Sequence, residues 1–472
     1  MKPPLPPLFA LVWLACAAGC GTEGSDEAPQ PVSAAPAPAA EGTPSNIVII
    51  TLDTTRADHL GSYGYFRDTT PALDELAAES LLFERCVAPT ASTLPSHTSL
   101  LTASTPVEHG VLTNMAFGSQ PRWAQWGLRS FAQLALDAGY DTAAVVSAAP
   151  VKRGTGLELG FSHFDQPAGL ERPAAETTDA ALAWLAERGA GPYLLWVHYF
   201  DPHQPLEAPL GFGEFEGDGP ERDAELARRG VVEQEWSLRT GGSLGSGAVV
   251  DAYDAELRYM DAQVGRMLEV LRSDPAWDRT AVVVMGDHGE GVGQHGVLEH
   301  GHLWWEQVRV PLFMRIPGVR PGRERTLLGV ADVLPTLVAR LDQAALELGQ
   351  AVSGRDVLAS GAEARPVLVS VPGHLTATEP HSCGLVTTGV QLMLPRPGAT
   401  DVAPLLFDLV QDPRQQHDLA SRQPETVASL SAVVAEPCAA LLASAQAMGT
   451  ADQQTEAMRK LTEELRALGY VD

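Results

Sequence analysis

The sequence predicts an α/β protein in which helices cover both sides of a central, mostly parallel sheet, with a small antiparallel subdomain near the carboxyl end. Two observations predict this fold. Nearly continuous apolar runs, typical of strands buried on both faces, alternate with segments of helical periodicity. After about residue 364, short apolar runs follow one another without long helices between them, which indicates antiparallel pairing.

The elements of the first domain follow in order along the chain. The predicted buried strands are 46–53, 142–146, 193–197 and 280–285, and the predicted helices are 71–80, 128–138, 174–187 and 249–272. In the last helix, apolar residues recur at spacings of three and four, at Tyr253, Leu257, Met260, Val264, Met267 and Leu271. Glycine-rich segments 211–219 and 241–247 are predicted to be surface loops.

Three shorter runs, 367–371, 384–394 and 405–409, predict the antiparallel subdomain. The tail from about Glu425 has helical periodicity and is expected to pack back through Met458, Leu461, Leu465 and Leu468. We therefore divide the folded chain into a catalytic domain, 46–363, a carboxyl-terminal subdomain, 364–424, and terminal helices, 425–472.

The amino terminus is typical of an export signal. Lys2 precedes an apolar stretch, and small residues precede Cys20. The segment 1–20 resembles a bacterial lipoprotein signal in which Cys20 carries the lipid, and its apolar run is shorter than the ~20 residues of a membrane span. Segment 21–45 is rich in Ala and Pro and is predicted to be a flexible linker. We expect an exported protein, lipid-anchored in the bacterial envelope in the periplasm or at the outer membrane, with no other membrane contact.

Charge and cysteine content restrict the partners and the compartment. The 472 residues include 59 acidic and 32 basic side chains, a formal net charge of -27, which argues against nucleic acid as a partner. Three of the five cysteines, Cys86, Cys383 and Cys438, follow the leader. In an oxidising compartment Cys383 and Cys438 could pair and leave Cys86 free, but spacing leaves the connectivity open.

Histidines are concentrated after the last buried strand. Four of the 13 lie within 288–302, and the first belongs to Gly286-Asp287-His288-Gly289. Adjacent carboxylate and imidazole at the end of a parallel strand predict half of a metal site, which suits Zn or Mn better than an all-oxygen calcium site. The alternative is a polar loop with scattered histidines.

A second group of polar residues is Thr93-Leu94-Pro95-Ser96-His97. Pro95 suits the first turn of a helix, so Thr93 is predicted at its amino end, where free amides favour developing negative charge. A threonine hydroxyl is a poor nucleophile unless a metal lowers its pKa, which is a reason to expect Asp53, Asp287 and His288 around it. The alternative is that Thr93 only caps the helix.

Five motifs in this order resemble the sulfatase branch of the alkaline phosphatase superfamily. They lie at 46–56, 93–97, 287–289, 301–312 and 407–420. The resemblance implies a central mixed sheet between helices, a small four-stranded subdomain and a bound divalent metal, whether Zn, Mn, Ca or Mg.

The sequence departs from sulfatases at the nucleophile. Sulfatases carry Cys or Ser, then x-Pro-Ser-Arg, and oxidise the first residue to formylglycine, whereas Thr93 and His97 occupy these positions here. Oxidation of threonine would give a ketone, so no formylglycine is expected. The Lys-Trp-His stretch of sulfatases is absent near 144–152, and His300 stands where they usually have Lys.

In having a threonine at the nucleophile position, the sequence resembles the phosphodiesterase, nucleotide pyrophosphatase and phosphoglycerol transferase branches of the same superfamily. By this resemblance Asp53, Thr93, Asp287 and His288 hold one metal. Asn114, which follows His109-Gly110, and the Thr93 amide stabilise the transferring group. The remaining predicted catalytic residues are His97, His203 and His300.

The resemblance also leaves a second metal site open. Asp201 and His203, with His300 or His302, would form it in a two-metal enzyme. The alternative is that these histidines only contact substrate. Arg56 either orients Asp53 or the substrate anion or makes a structural salt bridge, and Asp254, Asp261 and Glu290 are interpreted as structural.

These residues predict an exported, metal-dependent, sulfatase-like hydrolase that cleaves a sulfate or phosphate ester with metal-bound Thr93. The substrate would be a small-molecule, glycan or lipid ester. The alternatives are a phosphodiesterase or phosphoglycerol-type transferase with the same nucleophile, and an inactive surface lipoprotein that serves as a binding module.

Overall fold

The structure is a computed structural model that describes residues 46–114, 122–213, 215, 219–237, 242–341, 346, 352–371 and 380–449. Three predictions lie outside the described residues. They are the signal segment 1–20 with Cys20, the linker 21–45, and the part of the tail that carries Met458, Leu461, Leu465 and Leu468.

The described residues form two main sheets and a short hairpin. The large sheet contains β1 Asn46–Leu52, β2 Leu81–Val87, β3 Asp141–Val145, β4 His163–Asp165, β5 Tyr193–Tyr199, β8 Thr280–Gly286, β9 Arg309–Arg315, β10 Gly322–Glu324 and β11 Leu328–Gly329. The hairpin is β6 Glu235–Ser237 and β7 Ser243–Gly245, and the small sheet is β12 Val367–Ser370, β13 His381–Val386, β14 Val390–Pro395 and β15 Leu405–Asp408.

Helices pack on these sheets. They are α1 Pro71–Ala78, α2 Thr93–Thr102, α3 Pro106–His109, α4 Arg122–Gln125, α5 Phe131–Asp137, α6 Ala174–Glu187, α7 Gly219–Arg228, α8 Ser246–Ser273, α9 Trp305–Val308, α10 Val333–Leu341 and α11 Pro424–Gly449. Each of the four helices predicted in the first domain is present.

The strand order of the large sheet is β10-β2-β9-β8-β1-β5-β3-β4, with β11 pairing beside β2. Strands β8, β1, β5, β3 and β4 are mutually parallel, which confirms the predicted α/β class. Strand β9 runs antiparallel to both β2 and β8, so the sheet is mixed.

Apolar side chains of β1 cover both faces of the sheet. Ile47 and Ile49 belong to one core cluster, and Val48, Ile50 and Leu52 belong to the other. The second cluster also contains the predicted stripe of α8: Tyr253, Leu257, Met260, Val264, Met267 and Leu271. The continuous apolar run of β1 follows from this burial on two sides.

The two predicted glycine-rich loops are shorter than expected. Within 241–247, Ser243–Gly245 forms β7 and α8 begins at Ser246. Within 211–219, α7 begins at Gly219. The loop lengths predicted from glycine content are therefore too long. In the second segment this is because β7 pairs with β6 and helix α8 begins directly after β7.

The small antiparallel sheet confirms the predicted subdomain, in the order β12-β13-β14-β15. The predicted run 384–394 crosses a turn and contributes to both β13 and β14. Helix α11 packs on this sheet, where a disulfide joins Cys383 to Cys438 and leaves Cys86 free and buried. By length and composition alone, Pro424–Ala443 could cross a membrane, and its Val434 is buried in the core cluster that α11 shares with the small sheet.

The parallel strands bring their carboxyl ends to one edge. Leu52 of β1 lies in register with Tyr199 of β5 and with Gly286 of β8. The residues that follow these strands, Asp53 and Asp287 among them, therefore meet at the same edge, where open α/β sheets bind ligands.

Candidate active site

Asp53 and Asp287 form the base of a possible metal site at this edge. One ligand atom from each of Asp53, Asp287 and His288 lies within 4.8 Å of the others, and all three residues are fully buried. Among the described residues this is the one group of three or more His, Cys, Asp or Glu side chains with such spacing.

The hydrogen bonds of the two carboxylates leave one oxygen of each unused. Asp53 Oδ2 accepts from His198 Nε2 at 3.2 Å, and Asp287 Oδ1 accepts from the amides of Thr54 and His288 at 3.1 and 2.7 Å. Asp53 Oδ1 and Asp287 Oδ2 are buried and have no hydrogen-bond partner among the described residues. Two unpaired carboxylate oxygens beside an imidazole fit a divalent cation.

The pKa values of Asp53 and Asp287 also fit a cation between the two carboxylates. Burial raises the pKa of Asp53 to about 7, and burial together with the nearby charge of Asp53 raises the pKa of Asp287. Two adjacent buried carboxylates disfavour ionisation, and a cation between them removes that penalty.

Thr93 begins helix α2, as predicted, and Ser92 occupies the N-cap position. Thr93 Oγ1 lies 3.4 Å from His288 Nε2. His288 Nδ1 donates to Gly289 O at 3.0 Å, so the Nε2 lone pair faces the hydroxyl. Thr93 is the first residue inside the helix and Ser92 is the N-cap, so the structure does not place Thr93 in the capping position.

Gly289 allows the chain to turn closely behind His288. A Cβ at this position would lie 2.0 Å from Glu306 O. Glycine is therefore required at position 289, because the backbone of Glu306 comes too close for any side chain, and this agrees with the tight turn expected from the sequence.

Asn114 contacts the start of α2. Its Oδ1 accepts from the Leu94 amide at 2.9 Å and from the Ser92 hydroxyl at 3.0 Å. The side-chain oxygen is thus committed to the helix, and the amino group is the part of Asn114 that can donate to a substrate oxygen.

The structure corrects the prediction that His97 is catalytic. His97 is fully buried behind the nucleophile, and its Nδ1 donates to Thr93 O at 2.8 Å. Thr51 donates to its Nε2 at 3.0 Å, and Trp196 donates to the Thr51 hydroxyl at 2.9 Å. Burial lowers the pKa of His97 to about 4, so it is neutral and supports the backbone of Thr93.

His203 and His300 lie near the nucleophile. The ring centroid of His300 is 4.6 Å from that of His288 and 5.1 Å from that of His203. Glu290 Oε2 accepts from His300 Nδ1 at 3.3 Å. His300 therefore lies beside His288, and His203 is a ring neighbour of His300; their catalytic roles stay predictions.

The predicted second metal site is not assembled in the described part of the chain, where Asp201, His203, His300 and His302 form no ligand group. Asp201 Oδ1 accepts from the Ala174 amide at 2.8 Å and so caps helix α6. His203 Nδ1 donates to Gln204 O at 2.6 Å.

The charged residues interpreted as structural have structural partners. Arg56 is buried and donates to Asp58, Gln294 and the carbonyls of Glu290 and Gly291, so the salt-bridge reading of Arg56 holds. Asp254 pairs with His59 and Arg67. Asp261 accepts from the first amides of α1.

Sequence reasoning assigned no role to His198, which orients Asp53. Ser147 donates its amide to His198 Nδ1 at 3.4 Å, so the proton lies on Nε2 and points at Asp53. The available signal was a histidine in an otherwise apolar strand, in register with the polar Thr51.

The fold and this edge define an α/β protein of the alkaline phosphatase superfamily. The sequence profile of the sulfatase family matches residues 45–343, and the chain belongs to that family. The predicted resemblance is confirmed.

Three relatives illustrate the similarity. The uncharacterized sulfatase YidJ of Escherichia coli is 27% identical over 36% of this chain and 35% of its own length. The multifunctional alkaline phosphatase superfamily protein PehA of Trinickia caryophylli is 27% identical over 43% and 44%. The arylsulfatase of Clostridium perfringens is 23% identical over 66% and 76%. The chain thus spans less than half the length of the first two.

Solved structures share the fold. A yidJ crystal structure from Bacteroides fragilis superposes with a TM-score of 0.69 at 19% identity, covering 87% of this chain and 98% of that one. The phosphonate monoester hydrolase of Agrobacterium radiobacter gives 0.63 at 20% identity, covering 84% and 96%. The named relatives include sulfatases and phosphonate monoester hydrolases, which are ester hydrolases.

Proposed function

We propose that this protein hydrolyses a sulfate or phosphate ester with the Thr93 hydroxyl as nucleophile and with a divalent cation in the site. One observation carries the proposal: Thr93, the first residue of α2, has its Oγ1 3.4 Å from His288 Nε2, beside two carboxylates that each have a buried oxygen without a hydrogen bond in the described part of the chain. The names of the relatives support ester hydrolysis.

Asp53, Asp287 and His288, with Thr93, would hold the cation, whether Zn, Mn, Ca or Mg. The cation supplies positive charge that favours the ionised form of a neighbouring hydroxyl. No formylglycine is required, because the threonine oxygen is itself the attacking atom.

The reaction balances as two displacements. Thr93 gives its proton to solvent and its oxygen bonds to sulfur or phosphorus, while the bond to the leaving alcohol breaks and that alcohol takes up a proton from a neighbouring acid or from water. His300 lies beside His288, and His203 lies beside His300, so these two histidines are the candidate proton donors to the leaving alcohol. Water then cleaves the ester on Thr93 and releases sulfate or phosphate. With a second alcohol in place of water, the same residues perform group transfer.

Backbone and amide donors at the start of α2 would stabilise the charge that develops on the transferring group. The Thr93 amide lies at the helix amino terminus, and the Asn114 amino group is held beside it by the bonds of Oδ1. Donors of this kind typically contribute about a hundredfold or more in rate.

We further propose that the substrate is a small-molecule, glycan or lipid ester and that the protein works outside the cytoplasm, anchored by lipid at Cys20. The Cys383–Cys438 disulfide supports an oxidising compartment. The sequence of segment 1–20 supports the anchor.

The experiment compares full-length wild type with Thr93→Ala and Thr93→Ser after metal removal and reloading with Zn, Mn, Mg or Ca. Substrates are an aryl sulfate, an aryl phosphate monoester and an aryl phosphate diester. We expect Thr93→Ala to lose at least about a thousandfold in kcat/KM while metal still binds, and Thr93→Ser to keep measurable activity. A Thr93→Ala variant as active as wild type would overturn the nucleophile assignment.

The substrate that is turned over separates the remaining alternatives. Phosphate turnover would favour the phosphodiesterase-like alternative, and sulfate turnover would show that threonine replaces formylglycine here. A wild-type protein without turnover of any of the three esters, yet with metal bound, would favour the inactive binding module.

A further inference from the structure

The turn after β1 contains a strained residue beside the metal-ligand group. Thr54 has φ +49°, in the left-handed region that β-branched residues avoid. Such a conformation is unfavourable for a residue with a branched Cβ and persists only where neighbouring contacts enforce it. Thr54 is fully buried, and its hydroxyl has no hydrogen-bond partner among the described residues.

A single side chain on α8 holds this turn from both sides. The Tyr253 hydroxyl donates to Thr54 O at 2.7 Å and accepts from the Arg56 amide at 3.0 Å. Tyr253 is itself fully buried in the core under the sheet. The hydroxyl therefore satisfies two backbone groups that the left-handed turn removes from regular pairing.

The turn begins with a donor to Asp287. The Thr54 amide donates to Asp287 Oδ1 at 3.1 Å, alongside the His288 amide at 2.7 Å. Both donors act on the same oxygen, and Asp287 Oδ2 has no hydrogen bond among the described residues, with His288 Nε2 at 3.5 Å and His97 Nδ1 at 3.6 Å as nearby ring nitrogens. With the chain from Arg56 onward held in the core, a Thr54 in the ordinary β-region would require its amide to move away from Asp287.

We propose that Tyr253 is a positioning residue of the active site: by clamping the left-handed turn at Thr54 O and at the Arg56 amide, it keeps the Thr54 amide on Asp287 Oδ1 and leaves Oδ2 available to a cation. The proposal rests on the metal site of the proposed function. Partners that orient metal ligands typically contribute ten- to a hundredfold in metal affinity.

The test measures Mn²⁺ binding to the metal-free full-length protein by titration calorimetry. Tyr253→Phe removes only the hydroxyl, and we expect Mn²⁺ affinity to fall at least about tenfold. Tyr63→Phe is the matched control, because the Tyr63 hydroxyl also bridges backbone groups, accepting from the Leu312 amide and donating to Phe83 O, both at 2.8 Å. Those groups belong to β2 and β9, so Tyr63→Phe should bind Mn²⁺ as wild type does.

A second substitution tests the route through Thr54. Glycine adopts positive φ without steric cost, so Thr54→Gly should make the clamp less necessary. We expect the Tyr253→Phe/Thr54→Gly double variant to bind Mn²⁺ about fivefold more tightly than Tyr253→Phe alone. A purely structural role of Tyr253 predicts no such recovery.

The outcomes separate the two proposals. Wild type that fails to bind Mn²⁺ would overturn the metal site and the proposed function with it. Wild type that binds Mn²⁺ while Tyr253→Phe binds equally well would overturn the positioning role alone. A double variant as weak as Tyr253→Phe would also overturn the clamp through Thr54.

Discussion

His198 donates to one oxygen of Asp53 at 3.2 Å, and the other oxygen of Asp53 is left without a partner in the described structure. The two residues extend from adjacent parallel strands, so the sheet itself sets their contact. An outer hydrogen bond of this kind orients a metal ligand and fixes which of its oxygens is available.

We expect His198→Leu to lower Mn²⁺ affinity by about ten- to a hundredfold, because Asp53 loses its orienting donor. His198→Gln, which can still present an N–H, should lose less. Calorimetric titration of the metal-free protein measures both. His109→Leu is the control, since His109 is also buried, accepts a backbone amide at Nδ1 and contacts a side-chain oxygen through Nε2. Equal affinities for His198→Leu and His109→Leu would contradict the role of His198.

Asn114→Asp separates helix capping from catalysis. The substituted carboxylate can still accept from the Leu94 amide, so the melting temperature should stay close to that of wild type. It places an oxygen where the amino group was, and kcat/KM should fall by about a hundredfold or more. Thermal melts measure the change in stability, and steady-state rates on the best ester substrate measure the change in kcat/KM. A variant with unchanged rates would remove Asn114 from the charge-stabilising group.

His295 gives the protein a pH-dependent stability contribution away from the metal group. Its Nδ1 donates to Glu306 at 2.8 Å, its Nε2 donates to Gln415 O at 3.3 Å, and its ring stacks on Trp304. Burial opposes protonation, and nearby Arg56 does too, but the Glu306 charge and these hydrogen bonds raise the pKa of His295 above its usual value.

A pKa that is higher in the folded than in the unfolded chain stabilises the fold fully below the unfolded value of about 6.5, and this stabilisation is lost as pH rises through the folded value. His295→Asn, which tolerates the positive φ of this residue, should lower the free energy of unfolding by about 2 kcal/mol below pH 6.5 and by less at alkaline pH. Urea unfolding of both proteins from pH 6 to pH 9 measures the difference. A difference that does not change with pH would contradict the assignment.

The Cys383–Cys438 disulfide should stabilise the carboxyl-terminal subdomain. It closes a segment of 55 residues between β13 and α11, and its removal by Cys383→Ala with Cys438→Ala should cost about 2–4 kcal/mol. Dithiothreitol should lower the melting temperature of wild type and leave that of the double variant unchanged. If reductant affects both proteins alike, the stabilisation does not come from this bond.

The sequence predicted the parallel core because β1, β3, β5 and β8 are uninterrupted apolar runs, a pattern produced by burial on two faces. It did not predict β2 and β9, which carry Glu84, Arg85, Arg309 and Arg315 within otherwise apolar strands. These charges are at partly exposed positions, in the middle of β2 and at the two ends of β9, so hydrophobic patterning alone did not reveal the strands.

The sequence indicated the members of the candidate metal site, Asp53, Asp287 and His288, because only a few side-chain types bind metals. It did not indicate roles that depend on which atoms the fold brings together. His97 resembles a catalytic histidine in sequence, yet the helix directs it to Thr93 O and Thr51. Tyr253 is one of several apolar-stripe residues of α8, and its hydroxyl bonds depend on a turn about 200 residues earlier in the chain, a contact that no local pattern encodes.

The position of β1 at the centre of the parallel strands also orders the folding of the chain. Its neighbours β5 and β8 are synthesised roughly 150 and 230 residues later, so this apolar strand has neither sheet partner during the first half of the domain's synthesis. Long-range pairing of this kind is slow and exposes an aggregation-prone segment. Thr93 and His288 meet only after β8 has joined β1, so the proposed ester hydrolysis would report that this long-range strand pairing has formed.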